Sequence, residues 1–450
     1  MSTDFLKEIF QKSLGDEAFI WKGESYHYRW VLERVEAYSD ELSALGITSG
    51  TVVALQGEAS PELVSCLLAL IEMKTATVMV PALSGDQTSK VTDLVQAEFL
   101  CSSANSASLK VARIGQRSEH ALYQRLRELE AAGLVLLSSG TTGVRKAAVH
   151  NLEPFLQTYR KPRKRLRRVL FFPIDHLAGV HTLFSSLSNG STCILVDDRK
   201  PDSVCALIET WRAEVLPTSP SFLNLILLSQ AYKSHDLSSL KFITYGSEVM
   251  PETTLHRCRE IFPQVVFLQD FGASEIAMLR SESKGSDSTW MKLGGDGVET
   301  RIEAGVLQIR AKSAMLGYLN ADLNPFTEDG WFVTGDLVER SGEYIQIVGR
   351  EVEIINVAGD KVNPLEVERC LQDVQNVKEV LVYGEPNPIL GNIVCADVSL
   401  LESEDSDLVI RRLRAVATQN LPRYMVPVRI NVVDKDLHSH RFKKIGRRSS

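Results

Sequence analysis

The sequence predicts an α/β fold: a large amino-terminal domain of wound parallel sheets plus a β-rich subdomain (1–350), then a small, mobile α+β carboxyl-terminal domain (351–450). Three observations predict it. Strand-like and helix-like segments alternate through the first part of the chain, which is typical of parallel sheets covered by helices. After Gly294, short strands separated by turn residues indicate antiparallel hairpins. From Val352 a separate series of helices and strands begins, and about 100 residues suffice for a second domain.

The first α/β unit lies near the amino terminus. A strand over 51–57 precedes Ser60-Pro61, a typical helix start, and the helix should run to about residue 74, before a strand at 77–80. Strands are then predicted at 134–137, 169–173, 193–196, 242–245 and 265–268, with helices at 181–187, 203–213 and 253–261. Hairpin strands are predicted at 305–310 and 342–347, and the last domain should contain helices 364–372 and 407–419 with strands 379–383 and 393–400. Two wound halves therefore fit the large domain better than one.

The composition argues against nucleic-acid binding, secretion and a membrane span. Lys and Arg number 50 and Asp and Glu 57, so the net charge of −7 gives no case for nucleic-acid binding. The amino terminus lacks the apolar core of a signal peptide, and no apolar stretch approaches about 18 residues. The seven cysteines are scattered and form no CxxC pair, which favours reduced thiols. We therefore expect a cytoplasmic protein without a membrane span.

A glycine- and hydroxyl-rich turn follows the strand 134–137. Its glycines let backbone N–H groups converge on an anion, its hydroxyls donate further hydrogen bonds, and its lysine adds a mobile charge. The residues of this phosphate loop are Ser138, Ser139, Gly140, Thr141, Thr142, Gly143, Val144, Arg145 and Lys146. Ala147 follows the lysine where a Walker loop has Ser or Thr, so a kinase-like or GTPase-like loop is disfavoured. The turn predicts a nucleotide-phosphate site.

Four further motifs follow in order. They are QDFGASE at 269–275, GWFVTGD at 330–336, Gly349-Arg350, and AGDKVNPLEVE at 358–368. Together with the phosphate loop and a lysine near the carboxyl terminus, they resemble the adenylate-forming superfamily, which includes acyl-CoA synthetases, adenylation domains of peptide synthetases and firefly luciferase. The resemblance covers roughly residues 130–447. It implies an AMP-forming ligase that uses ATP, Mg²⁺ and coenzyme A or phosphopantetheine.

The motif at 269–275 supplies nucleotide contacts. Because Glu275 follows a strand end and a glycine turn, its carboxylate can reach a magnesium ion on the ATP phosphates. Ser274, beside Glu275, can donate to the α-phosphate, and Phe271 can lie against adenine, where the family usually has a tyrosine. By resemblance, Gly272 is a further nucleotide-binding residue. The resemblance also assigns Thr141 and Lys146 to catalysis and the remaining glycines and hydroxyls of the loop to phosphate binding.

Ribose and adenine contacts are assigned to three other positions. Asp336 can accept both ribose hydroxyls and Arg350 can donate to the same sugar, although a structural ion pair between the two is the alternative. By resemblance, Gly246, Ser247 and Glu248 form the adenine edge contact.

The segment 173–180 resembles the wall of the acyl pocket. His176, Gly179 and Val180 are assigned to that pocket, with a satisfied core histidine as the alternative for His176. Amino-acid-activating relatives have an aspartate in this region that binds the substrate ammonium group, and Asp175 lies in the same region. The apolar residues around Val180 favour a hydrophobic acid instead.

The carboxyl-terminal domain supplies the remaining groups. Gly359 matches a glycine that lets a pantetheine arm pass, and Lys361 matches a basic residue that approaches the adenylate phosphate. Lys444, in a KxxR spacing, matches the adenylation lysine that neutralises the converging anions, with Lys443 as the rival. Two residues after Arg350 the family commonly has Asp or Lys as a hinge, and this chain has Val352 at that position.

These features predict activation of a small carboxylic acid as an acyl-adenylate, then transfer to coenzyme A or a separate acyl carrier protein. A stand-alone amino-acid or aryl-acid adenylation enzyme, a luciferase-like oxygenase and a non-catalytic nucleotide-binding homologue are the alternatives. Seven of the nine residues 160–168 are basic. This basic run is interpreted as a solvated connection, an anion site for the acceptor, or a nuclear signal.

Overall fold

A computed structural model describes residues 4–103, 109–138, 146–320, 324–388, 390–434 and 437, with only the backbone of Ser138. The first part of the chain contains α1 (Asp4–Lys12), β1 (Glu17–Trp21), β2 (Glu24–His27), α2 (Tyr28–Ala44), β3 (Val52–Gln56), α3 (Pro61–Glu72), β4 (Ala76–Val80), α4 (Gly85–Leu94), β5 (Phe99–Ser103), β6 (Leu109–Arg113), α5 (Ala121–Glu128), β7 (Gly133–Ser138), β8 (Lys146–Asn151) and α6 (Leu152–Gln157). The second part contains β9 (Arg168–Leu170), α7 (Leu177–Leu187), β10 (Cys193–Leu195), α8 (Pro201–Trp211), β11 (Val215–Thr218), α9 (Pro220–Ser229), β12 (Phe242–Tyr245), α10 (Glu252–Ile261) and β13 (Val266–Gln269).

Short antiparallel strands follow, as predicted. They are β14 (Phe271–Ala273), β15 (Ala277–Ser283), β16 (Met291–Gly294), β17 (Val298–Glu303), β18 (Val306–Ala311), β19 (Gly317–Tyr318), β20 (Phe332–Ser341) and β21 (Tyr344–Arg350). The last part contains β22 (Ile355–Val357), β23 (Asp360–Val362), α11 (Pro364–Gln372), β24 (Val377–Asn387), β25 (Gly391–Leu400), α12 (Ser406–Asn420) and β26 (Arg429–Val432).

These strands form four sheets. Sheet I has the order β19-β8-β7-β4-β3-β5-β6, and sheet II the order β13-β12-β11-β9-β10-β1-β2. Sheet III has the order β14-β15-β16-β21-β20-β18-β17, and sheet IV the order β23-β22-β25-β24 with β26 beside β25. The centres of sheets I and II are parallel, but β2, β6, β8 and β19 add antiparallel edges. The two wound halves are therefore mixed sheets.

Local sequence explains why the central elements form. The strands β3 and β4 are apolar and buried, as expected for parallel strands covered on both faces. Between them, Ser60 Oγ accepts the Leu63 N–H at 3.1 Å and Pro61 occupies the first turn of α3. The helix ends at Glu72, close to the predicted boundary.

The hydrophobic core is divided. One buried cluster includes Leu134 of β7, Leu170 of β9 and Phe184 of α7, so it joins sheets I and II. A separate cluster is built only from residues between Ile355 and Ile430. Among the described residues, no helix combines the length and the hydropathy that crossing a bilayer requires.

Candidate active site

The phosphate loop connects two strands of sheet I. Strand β7 ends at Ser138 and β8 begins at Lys146, and these two residues are partners in the antiparallel ladder. The loop residues Ser139, Gly140, Thr141, Thr142 and Gly143 lie outside the described residues, as does the side chain of Ser138. Their assigned contacts remain predictions, but both ends of the loop are fixed in a sheet.

Residues 317–320 hold the carboxyl end of the phosphate loop by backbone pairing and hydrogen bonds. Strand β19 pairs with β8, and the Ala147 N–H donates to Asn320 Oδ1 at 3.0 Å. The Leu319 N–H donates to the Ala147 carbonyl at 3.0 Å. The backbone that follows Lys146 is therefore held on its outer edge by residues about 170 positions later in the chain.

Glu275 lies beside residues 317–320. The Tyr318 hydroxyl donates a hydrogen bond to Glu275 Oε1, and the Met315 N–H donates to the Glu275 carbonyl at 2.8 Å. The Lys146 ammonium lies 5.3 Å from the centroid of the Tyr318 ring. Burial, and next the Glu275 charge, raise the pKa of Tyr318, so its hydroxyl stays protonated and donates. The structure thus brings together the predicted Glu275 and Lys146 through Tyr318, which the sequence did not single out.

The carboxylate of Glu275 fits a magnesium ligand. Its carboxylate is partly exposed, one oxygen is oriented by Tyr318, and Mg²⁺ prefers carboxylate oxygens beside substrate phosphates. Glu275 would therefore hold the ion, and the end of the phosphate loop is nearby.

Behind Glu275, a buried histidine fixes the backbone of Ser274. His150 of β8 donates from Nε2 to the Ser274 carbonyl at 2.6 Å. Burial lowers the pKa of His150 to about 4, so the ring is neutral near pH 7. His150 is a second residue of the site that the sequence did not reveal, because its partner lies 124 positions away.

Phe271 and Gly272 are tightly packed. A Cβ atom on Gly272 would lie 2.4 Å from Met278 Sδ and 2.8 Å from the Ala277 carbonyl oxygen, so only glycine fits. Phe271 is 7% exposed and packs in a cluster with Ile276 and other residues of sheet III. Phe271 thus belongs to a hydrophobic core, and its contact with adenine remains a prediction.

The Gly246-Ser247-Glu248 turn follows β12 as predicted. A Cβ atom on Gly246 would lie 2.7 Å from the Asp270 carbonyl oxygen, and Ser247 has a left-handed φ of 71°. Glu248 Oε2 accepts from Ser221 Oγ at 2.5 Å and from the Ser221 N–H at 3.2 Å. Glu248 therefore secures the first turn of α9, and the adenine contact assigned to this turn remains a prediction.

Asp336 and Arg350 form the ion pair that the sequence allowed as an alternative. Their strands place them opposite each other, and Arg350 Nε donates to Asp336 Oδ1 at 2.9 Å. The Asp336 N–H donates to Thr334 Oγ1 at 2.9 Å, which fixes the turn before it. Burial disfavours the Arg350 charge, but Asp336, followed by Glu353 and Glu275, outweighs it and raises the pKa of Arg350. Glu275 and the proposed ribose pair therefore share one electrostatic environment.

The three residues assigned to the acyl pocket support the start of α7. His176 Nδ1 accepts the Ala178 N–H at 3.3 Å and caps the helix. A Cβ atom on Gly179 would lie 2.1 Å from the Pro173 carbonyl oxygen, and Val180 is 1% exposed. Each therefore has a packing or capping function, and contact with an acid remains a prediction.

Two carboxyl-terminal residues lie at the turn between β22 and β23. Gly359 has a φ of 97°, and among the described residues no atom lies within 4 Å of the position that its Cβ would take. Lys361 is exposed. Lys443 and Lys444 lie outside the described residues.

The basic run is largely engaged in ion pairs. Arg165 Nη1 lies 2.5 Å from Asp16 Oδ2, and Arg167 Nη1 lies 2.7 Å from Glu17 Oε2. Lys161 contacts Asp296, whereas Arg168 begins a strand of sheet II. Residues 160–165 are exposed, as a solvated connection requires, and Arg165 and Arg167 also tie the segment to Asp16 and to Glu17 of β1.

Comparisons with known proteins agree with this geometry. The sequence matches the family model of the AMP-binding enzyme over residues 6–295 and that of the AMP-binding enzyme C-terminal domain over residues 366–444. It is 29% identical over 278 residues to an indoleacetate–CoA ligase of Aromatoleum aromaticum, covering 56% of this chain and 54% of that protein. It is 23% identical to a 2-succinylbenzoate–CoA ligase of Listeria monocytogenes, covering 96% of each chain. A crystal structure of an anthranilate CoA ligase with anthranoyl-AMP has a TM-score of 0.82 at 19% identity, over 98% of this chain and 95% of that one.

The chain therefore belongs to the AMP-binding enzyme family of the adenylate-forming superfamily. It is an AMP-forming ligase, and ATP, Mg²⁺ and coenzyme A are the cofactors of this class.

Proposed function

We propose that the enzyme joins a small carboxylic acid to the thiol of coenzyme A through an acyl-adenylate. One observation carries the proposal: Lys146, Tyr318 and Glu275 lie together at the end of the phosphate loop, and the Arg350–Asp336 pair lies on the β20–β21 hairpin. A cation with a carboxylate at one place and an arginine–aspartate pair at the other suit a polyanion joined to a sugar. The ligase names of relatives that cover nearly the full chain support the choice of acid and acceptor.

The first step forms a mixed anhydride. A carboxylate oxygen of the acid attacks the α-phosphorus of ATP, and the bond to the oxygen that bridges to the β-phosphorus breaks and releases pyrophosphate. Lys146 and the phosphate-loop donors offset the charge that gathers on the phosphate oxygens. A magnesium ion bound by Glu275 would supply further neutralisation of these oxygens.

Asp336 and Arg350 position the nucleotide. Arg350 Nε donates to Asp336 Oδ1, and we propose that the Asp336 carboxylate also accepts from a ribose hydroxyl while the Arg350 guanidinium donates to the same sugar. Lys444 is proposed to approach the substrate carboxylate and the α-phosphate together.

The second step transfers the acyl group. The thiolate sulfur attacks the acyl carbon, a carbon–sulfur bond forms, and AMP leaves with the electron pair of the carbon–oxygen bond. Gly359 lies on an exposed turn that is proposed to face the pantetheine arm, and Lys361, exposed in β23, is proposed to approach the adenylate phosphate. A separate acyl carrier protein is the second acceptor to be compared.

The test is acid-dependent pyrophosphate release with a panel of aliphatic, aryl and amino acids, followed by mass spectrometry of the products. We expect release only when ATP, Mg²⁺ and an accepted acid are present, and a thioester when coenzyme A is added. Transfer to a phosphopantetheinylated carrier but not to coenzyme A would reassign the acceptor. Absence of an adenylate with every acid would contradict the proposal and favour a non-catalytic homologue.

We also propose a cytoplasmic location, since all seven cysteines are free and six of them are buried. Recovery in the periplasmic or secreted fraction would contradict it.

A further inference from the structure

A side chain continues the edge of strand β8 that the short strand β19 begins. Strand β19 pairs with β8 over two residues, and the Leu319 N–H then donates to the Ala147 carbonyl at 3.0 Å. The Ala147 N–H donates to the side-chain oxygen of Asn320, Oδ1, at 3.0 Å. Ala147 is buried, and buried N–H groups are normally hydrogen-bonded. The amide of Asn320 therefore supplies a required acceptor directly after the phosphate loop.

The same segment of chain also holds the turn that bears Glu275. The Met315 N–H donates to the Glu275 carbonyl at 2.8 Å, and Ser313 Oγ donates to the Ile276 carbonyl at 2.7 Å. Residues 313–320, the connecting segment, are therefore bonded to the Glu275 turn at one end and to strand β8 at the other.

Strand β8 closes the connection on its second side. His150 of this strand donates to the Ser274 carbonyl at 2.6 Å, so β8 is bonded to the residue before Glu275 as well as to Asn320. The contacts form a closed ring that runs from Ala147 through the connecting segment to the Glu275 turn and returns through His150 to β8. Fully hydrogen-bonded networks of this kind are rigid.

Two groups of opposite charge lie on this ring. Lys146 directly precedes Ala147, and its ammonium lies 5.3 Å from the centroid of the Tyr318 ring, whose hydroxyl donates to the Glu275 carboxylate. The polyphosphate of ATP carries negative charge for the ammonium and binds Mg²⁺, which prefers carboxylate oxygens. Tight binding of such a ligand requires that the ammonium and the carboxylate are held at a fixed separation.

We propose that Asn320 is a positioning residue for ATP. Its side-chain oxygen fixes the backbone that follows Lys146 and so, through the ring, sets the separation between the Lys146 ammonium and the Glu275 carboxylate. The inference rests on the proposed function, because ATP is the polyanion that acid activation consumes. Asn320 acts through Ala147 and not by contact with the reacting atoms.

The test is calorimetry of ATP and AMP binding, with Mg²⁺ and without acid, for wild type, Asn320→Leu and Asn320→Asp. Leucine has a similar size but no acceptor, whereas aspartate keeps the oxygen that accepts the Ala147 N–H. We expect Asn320→Leu to weaken ATP binding about tenfold and AMP binding less than about threefold, because AMP lacks the β- and γ-phosphates. Asn320→Asp should bind ATP more tightly than Asn320→Leu.

Asn324→Leu is the matched control. Asn324 Oδ1 accepts the Phe326 N–H at 3.1 Å, which is the same kind of contact at an exposed residue four positions later. This variant should bind ATP and AMP like wild type. If Asn320→Leu does not fold, Asn320→Ala takes its place with the same expectations.

An unchanged ATP affinity in Asn320→Leu, an equal loss of ATP and AMP affinity, or no recovery in Asn320→Asp would overturn the inference. Because these measurements need no acid, they are independent of the acid panel. Acid-dependent pyrophosphate release together with an ATP affinity that is independent of Asn320 would contradict the inference alone. An ATP affinity that depends on Asn320, with no pyrophosphate release from any acid, would contradict the proposed function and leave the positioning of ATP intact.

Discussion

Tyr318 shows how a single side chain joins two predicted groups. Its hydroxyl orients the Glu275 carboxylate and its ring lies under the Lys146 ammonium. The sequence indicated Glu275 and Lys146 because each stands in a recognisable turn, but Gly317-Tyr318 carries no such pattern. Only the pairing of β19 with β8 brings Tyr318 to the site.

Replacing Tyr318 tests this arrangement. Tyr318→Phe removes the hydrogen bond to a charged carboxylate, a contact worth about 1.5–3 kcal/mol. We expect pyrophosphate release to fall about tenfold or more, with a higher magnesium concentration needed for half-maximal rate. Tyr344→Phe in β21 of sheet III is the matched tyrosine control and should stay near wild type. An unchanged magnesium dependence in Tyr318→Phe would separate Tyr318 from the function of Glu275.

Asp336 gives a second prediction for a single residue. Asp336→Asn removes a carboxylate acceptor, so we expect AMP and ATP to bind about 10- to 100-fold more weakly by calorimetry. Asp329→Asn is the control, because Asp329 also pairs with an arginine, Arg301, on the surface. Equal AMP affinity in Asp336→Asn and wild type would show that the Asp336–Arg350 pair is only structural.

At the level of secondary structure, strand β8 connects the phosphate loop to the backbone before Glu275. His150 in this strand is neutral and donates to Ser274, which makes its protonation a source of acid instability. The unfolded histidine has its ordinary pKa near 6.5, whereas the folded pKa is about 4. Between pH 4 and pH 6.5, His150 therefore binds more protons in the unfolded state than in the folded state. The contribution of the neutral His150 ring to the free energy of unfolding is complete above about pH 6.5 and decreases as the pH falls towards 4.

The substitution His150→Gln isolates this contribution. The difference in unfolding free energy between wild type and variant should shrink as the pH falls from about 6.5 to about 4, by up to roughly 3 kcal/mol. Denaturant unfolding at several pH values measures it. A difference that is constant across this range would show that His150 does not titrate as a buried neutral ring.

The helices and strands also show what local sequence can predict. The helix α3 and the strands beside it were predicted closely, because Ser60-Pro61 marks a helix start and both strands are continuous apolar runs. The helix α7 was predicted to start near 181 but begins at Leu177, since His176 caps it in a way that the helix-start patterns omit. The antiparallel edge strands were not predicted, because pairs such as β8 with β19 join segments far apart in sequence.

For the whole molecule, the last part of the chain has its own hydrophobic cluster, as expected for a separate domain. Its boundary near residue 350 and its movement remain predictions. Val352 is 74% exposed beside Arg350, so a polar hinge contact is absent at this side chain. Motifs mark Glu275 and Lys146, whose roles remain predictions, whereas Tyr318 and His150 carry no motif and reach the same place only through contacts between segments far apart in sequence.

The central claim is that the enzyme forms an acyl-adenylate with Lys444 as the mobile cation. Acid-dependent exchange of labelled pyrophosphate into ATP measures this step directly. We predict that wild type and Lys443→Ala exchange at similar rates, and that Lys444→Ala exchanges about 100- to 1000-fold more slowly. Lys444→Ala should still convert a supplied acyl-adenylate to the thioester. Near-normal exchange in Lys444→Ala with loss in Lys443→Ala would assign the role to Lys443, and absence of acid-dependent exchange in wild type would contradict the account.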